Sequence, residues 1–188
     1  MLFEEQIKSY ECINKQEASD QRVILEYIKD YKDNILTRNN KIAHLTSSGF
    51  IMNKSLTKVL MIHHNIYNTW AWTGGHADGE EDLLKIATKE AKEETGLKSI
   101  EVMGSKIASI DILPVNGHIK RGDYVSAHLH LNVAYLLIAD ENHSLKINRK
   151  ETSGVKWINM AEIAEYSKEA ELIKIYKKLI NKAKKIET

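Results

Sequence analysis

Between Trp70 and Leu97 the chain packs a strand, a turn and a helix into one continuous pattern, and that pattern limits how the rest can fold. Trp70-Ala71-Trp72-Thr73 is a short aromatic, strand-like run, and Gly74-Gly75 ends it. Adjacent glycines turn without a Cβ clash and leave the backbone open to close approach. Leu83, Leu84, Ile86, Ala87 and Ala91 then recur at helical spacing, so this segment has a face to bury. Asp78 is placed to cap the helix, Glu80, Glu81 and Asp82 suit its positive end, and Gly96 suits its stop.

The carboxylates of this helix carry the chemistry. Glu90 and Glu94 are four residues apart and share a face, and Glu93 borders it. Like charges at this spacing destabilise a helix unless a cation neutralises them. An all-oxygen set suits a hard ion, Mg²⁺ or Mn²⁺, that keeps waters and binds phosphates; zinc prefers nitrogen and sulfur. A solvated acidic face flanked by lysines is the plainer reading of three glutamates alone.

The spacing across residues 75–97 adds to this. Gly75, five residues, Glu81, seven residues, Lys89-Glu90, an apolar residue, any residue, Glu93-Glu94, any residue, Gly96 and Leu97 together resemble the Nudix box. That resemblance implies the Nudix fold, an α/β/α sandwich around a mixed β-sheet, here with an N-terminal helical extension. It implies an enzyme that hydrolyses the diphosphate linkage of a nucleoside diphosphate derivative with metal-activated water. Glu90, Glu93, Glu94 and the Gly75 carbonyl are the implied metal ligands. Lys89 stands where the family has an arginine that orients the glutamates; it keeps the charge but loses the planar fork. Glu93 is one base candidate. Glu151, just before the last expected strand, is the other, because relatives recruit a base or ligand from outside the box.

Length and composition fit this reading. At 188 residues, 43% of them apolar, the chain can bury a sizeable core. We expect a helical extension over residues 1–40 packed on a domain over 41–188. A net charge of +1 gives no signal for stable nucleic-acid or membrane binding, so a nucleotide-type small molecule is the expected partner. Cys12 is the single cysteine, which excludes an internal disulfide and suits a reducing cytoplasm; the start Met1-Leu2-Phe3-Glu4-Glu5 is unlike a signal peptide. Its place ahead of the first strand argues against an isopentenyl diphosphate isomerase, which shares the fold but uses a cysteine near the start of the domain.

Along the chain, residues 1–36 look helical, with Ile24, Ile28, Tyr31 and Ile35 on one stripe and Asp20 as a cap. The apolar side of these helices suits packing on the domain or a homodimer. Residues 44–53 and 58–64 read as a strand pair, 100–113 as β-rich, 126–139 as a long strand and 155–158 as a last short one. Residues 160–166 and 168–186 read as helices. Interleaved helices and hairpins predict a mixed sheet rather than a parallel, doubly wound one.

Several further residues are candidates. His76, directly after the glycines, suits either a phosphate or base contact or an exposed turn. His128 and His130 lie two apart on one strand face. They suit a phosphate contact, a half-buried polar face, or a zinc site that needs a third ligand the sequence does not identify. His44, His63 and His64 read as strand residues rather than ligands. The loop from Asn116 to Asp123, with Lys120, Arg121 and the adjoining Tyr124, has cations for a diphosphate and an aromatic ring for a base. Trp70 and Trp72 suit base stacking or packing. In the last helix Leu172, Ile175, Tyr176, Leu179 and Ala183 form a stripe for the sheet, with solvated lysines around it. A Nudix-like module that binds a nucleotide without turning it over is the alternative function; Lys89 is the feature that favours it.

Overall fold

The computed structural model describes residues 3–187 apart from 67, 105, 121, 150 and 151. Helices α1 (Phe3–Lys8) and α2 (Lys15–Tyr31) lead into strands β1 (Ala43–Asn53), β2 (Lys58–His64), β3 (Thr69–Ala71) and β4 (Thr73–His76). Helix α3 (Leu83–Thr95) follows, then β5 (Glu101–Val102), β6 (Ser109–Val115), β7 (His118–Lys120), β8 (Asp123–Val125), β9 (His128–Ala139) and β10 (Thr152–Asn159). A 3-10 turn over Met160–Glu162 and helices α4 (Ile163–Tyr166) and α5 (Ala170–Glu187) close the chain.

The main sheet is mixed, as expected. Its path runs β10-β2-β1-β9-β5, with β3 on β2, β4 on β1 and β6 on β9. β1 and β9 pair in parallel from Ala43 beside Leu129 to Asn53 beside Ala139, and the other pairs are antiparallel. Alternation along the central strands sends side chains to two separate cores. Leu45 and Ile51 of β1 and Leu131, Val133, Tyr135 and Leu137 of β9 meet α1, α2 and α3. Phe50 and Met52, with Ala134 and Leu136, meet α5 through Leu172, Ile175, Tyr176, Leu179 and Ala183. The result is an α/β/α sandwich. At ~25 cal/mol per Å² of apolar area, each fully buried Leu, Ile or Phe of these cores contributes about 1.5–3 kcal/mol.

Local chemistry corrects several expectations. α2 starts at Asn14, whose side chain accepts the Glu17 amide, and not at Asp20. Asp20 instead accepts the Ile112 amide at 3.0 Å and so ties α2 to β6. The helix ends at Tyr31, which is 44% exposed, so the expected stripe stops at Ile28, and Ile35 is buried from the loop beyond. α3 starts later than expected, capped by Asp82 accepting the Lys85 amide. Asp78 has a left-handed φ of 47° and pairs with Arg38, so it belongs to the turn before the helix. Residues expected as a polar loop form the β7–β8 hairpin. Lys178 of α5 is not solvated: it pairs at 2.8 Å with both Glu17 and Asp111, and its side chain is 10% exposed. Among the described residues no helix is long and apolar enough to cross a membrane.

Candidate active site

Two sets of polar side chains meet on either side of β4, and the parity of the strand decides which residue faces which set. Gly75 faces α3. A Cβ built there would lie 2.5 Å from the Glu90 carboxyl carbon, so the glycine lets that carboxylate press against the strand. Glu94, one turn on, is 4% exposed and accepts the Gly74 amide at 3.0 Å. Burying a carboxylate is costly unless it is hydrogen-bonded or meets positive charge. The structure brings Gly75, Glu90 and Glu94, three of the four expected ligands, together. Their oxygen donors suit a hard divalent cation.

Glu93 and Lys89 sit on the solvent side of α3, exposed and 3.8 Å apart. An ion pair this open to water contributes little to stability. Arg121 and Glu151 lie outside the described residues.

His76 faces the other way. It stands opposite Thr46 on β1, and His44 of β1 lies beside His130 of β9, so His44, His76, His128 and His130 share one sheet face. The His76 and His130 rings are 4.9 Å apart, and His44 is 5.0 Å from both His76 and His128. Burial disfavours a charge here. It pushes His130 down to about 2, with the neighbouring histidines adding repulsion, and His76 down to about 3, with Arg38 contributing. His44 is lowered by the same burial, against a partial rise from its bond to the Asn40 carbonyl. All three rings are neutral near pH 7.

Next to the histidines, Thr46 and Ser48 both donate to Asn132 Oδ1 at 2.9 Å. Asn132 is 1% exposed, and its Nδ2 has no partner among the described residues. Both sets line one cavity of about 1060 Å³. Lys120 and Tyr124 of the β7–β8 hairpin also line it, and Tyr124 is 69% exposed. The aromatic candidates divide. Trp72 packs edge-on against Tyr176, whereas Trp70 receives the Lys156 ammonium 4.7 Å from its ring centroid. Cys12 donates to Gln21 Oε1 and is not one of the residues lining the cavity.

From the sequence His44 reads as a strand residue rather than a ligand, and Asn132 is not singled out. Parity along β1 puts His44 with Thr46 and Ser48. What places it beside His130 is a parallel pairing between segments far apart in sequence, which periodicity does not reveal.

Comparison with known proteins identifies the family and the fold. The family model for the NUDIX domain matches residues 43–179. An RNA pyrophosphohydrolase of Pelagibacter ubique (strain HTCC1062) is 30% identical over 125 residues, which cover 65% of this chain and 78% of that protein. Among solved structures, the Nudix hydrolase RenU from M. smegmatis superposes with a TM-score of 0.57 at 17% identity, covering 76% of this chain and 87% of that one. The NUDIX domain of Shewanella oneidensis NrtR, complexed with ADP ribose, superposes with a TM-score of 0.52 at 19% identity, covering 85% and 98%. At these identities the two structures show a shared fold.

Proposed function

This chain belongs to the NUDIX family, and from that premise we propose that it is a divalent-metal-dependent pyrophosphohydrolase acting on a nucleoside diphosphate derivative. The observation that carries this is the buried Glu94 carboxylate on the Gly74 amide, with the Glu90 carboxyl pressed against Gly75.

Glu90 and Glu94, with the Gly75 carbonyl, would hold Mg²⁺ or Mn²⁺. Such an ion neutralises diphosphate oxygens and lowers the pKa of a bound water. The protein's own groups do the rest. The Gly74 amide orients Glu94 for the ion, and the bare Gly75 lets the Glu90 carboxyl lie close against β4. Asn132 Nδ2 offers a buried donor to a substrate oxygen. Tyr124 and Lys120 offer a ring face and a cation to the nucleotide. Water attacks one phosphorus, the bridging P–O bond breaks, and a carboxylate takes the water proton. The products are two phosphate-bearing fragments, or pyrophosphate and a monophosphate.

Glu93 and Glu151 are the two base candidates; Glu93 is exposed on α3 and is not one of the residues lining the cavity. Glu93→Gln and Glu151→Gln separate them: loss of kcat in one variant, with KM kept, identifies the base. Lys89 reaches Glu93 only across an exposed 3.8 Å, so its role as an orienting residue is weak.

The reading is tested by incubating purified protein with ADP-ribose, nucleoside triphosphates, dinucleoside polyphosphates, nucleotide sugars and a 5′-triphosphorylated RNA. Each is run with Mg²⁺, with Mn²⁺ and with EDTA. Cleavage that needs the metal supports it and names the substrate class. Nucleotide binding with no cleavage of any compound makes the chain a binding module.

A further inference from the structure

The four imidazoles on the far side of β4 form a set that the hydrolase chemistry does not use. One ligand nitrogen from each of His44, His76, His128 and His130 lies within 4.8 Å of the others. They come from three adjacent strands: His76 from β4, His44 from β1, and His128 and His130 from β9.

Hydrogen bonds at the back of two rings settle their tautomers. His44 Nδ1 lies 3.0 Å from the Asn40 carbonyl, and His128 Nδ1 lies 2.8 Å from the Ser126 carbonyl. A carbonyl only accepts, so both Nδ1 atoms carry the proton. In a neutral ring the Nε2 atom is then a bare lone pair. A backbone carbonyl behind the ring is the usual support of a metal-bound histidine. His44 is 4% exposed, and its Nε2 is buried with no hydrogen-bond partner among the described residues. Such an orphan is costly and calls for an explanation. His128 Nε2 sits 3.3 Å from His130 Nε2. Two nitrogens bound tetrahedrally at ~2.0–2.1 Å are about 3.3 Å apart, so this edge already has the required length.

We propose that His44, His76, His128 and His130 bind one borderline-soft divalent transition metal, Zn²⁺ by donor type and number, separately from the glutamate site. Four nitrogen donors and no carboxylate select against Mg²⁺. With all four positions filled by protein the ion is structural. It clips the ends of β1, β4 and β9 at the edge of the cavity and places His76 one residue from the Gly75 carbonyl. The site stands whether or not the chain hydrolyses diphosphates, because it draws on none of the α3 glutamates.

The test uses full-length protein without a histidine tag, stripped with chelator and then titrated with Zn²⁺ or Co²⁺. We expect about one equivalent of zinc to survive desalting, in the wild type and in Glu94→Gln alike. Co²⁺ should give the intense visible absorption of a tetrahedral site. Zinc well above its Kd should raise Tm by about 5–10 °C. His128→Asn, at the edge of the cavity, should bind zinc at least ~10-fold more weakly while keeping the native circular dichroism. His44→Gln, in the interior, should lose the site. The wild-type cobalt spectrum needs no variant to fold. A pale octahedral spectrum, no retained zinc in folded wild-type protein, or zinc binding abolished by Glu94→Gln would each overturn the proposal.

Discussion

Gly75→Ala separates the catalytic account from a purely structural one. The added Cβ would sit 2.5 Å from Glu90 Cδ and 2.8 Å from Cγ and Oε1. Non-bonded heavy atoms settle at about 3.5–4.0 Å, so the Glu90 carboxyl must retreat by roughly 1 Å. It is the end of a flexible, half-buried side chain and can move. An off-rotamer shift costs about 0.5–1.5 kcal/mol, and removing a glycine from the unfolded chain returns about 0.4–1 kcal/mol. Folding stability should therefore stay within about 1 kcal/mol, a Tm change under ~4 °C. Activity should not survive as well. A ligand misplaced by 1 Å costs about 10²-fold, equivalent to ~2.7 kcal/mol of transition-state stabilisation. The assay is metal-dependent kcat/KM beside a thermal melt. Gly74→Ala is the control. Its Cβ would meet Ser48 Oγ at 2.6 Å and the Ser47 carbonyl at 3.0 Å, where backbone cannot retreat, so it should lose stability as well as activity. Gly75→Ala with kcat/KM within threefold of wild type and an unchanged Tm would refute the reasoning. So would loss of activity through unfolding.

Lys178→Met leaves the Glu17 and Asp111 carboxylates, 0% and 1% exposed, without their shared cation, so denaturant unfolding should show a loss of about 3–5 kcal/mol. Breaking the Lys174–Glu171 pair, 71% exposed on both sides, should change stability by less than about 0.5 kcal/mol. Tyr124→Ala should raise KM about tenfold with kcat and Tm nearly unchanged, because the ring is exposed at the cavity and packs little core; an unchanged KM removes it from the substrate site.

What could be read from the sequence was local. The glycine turn, the apolar face of α3 and the Glu90–Glu94 pairing all lie within a few residues, where spacing fixes geometry. The order of strands and helices was legible for the same reason, and so was the α5 stripe. Other features depend on partners far along the chain. His44 joins His130 only because β1 and β9 lie parallel, and Lys178 is drawn inward by acids on α2 and β6. Competition between neighbours misplaced the caps. Asp78 was as good a helix cap as Asp82, until Arg38 claimed it from the loop before β1.

In the proposed function, the buried Glu94 and the half-buried Glu90 hold the ion that hydrolysis needs. The most direct test of this is a Mg²⁺ titration of turnover, on the best substrate of the panel, for wild type and Glu94→Gln. Removing this ligand should lower kcat/KM by about 10³-fold, about 4 kcal/mol, and move the Mg²⁺ midpoint to higher concentration while nucleotide binding without metal stays the same. Turnover by Glu94→Gln at the wild-type rate, with the wild-type Mg²⁺ midpoint, would contradict it.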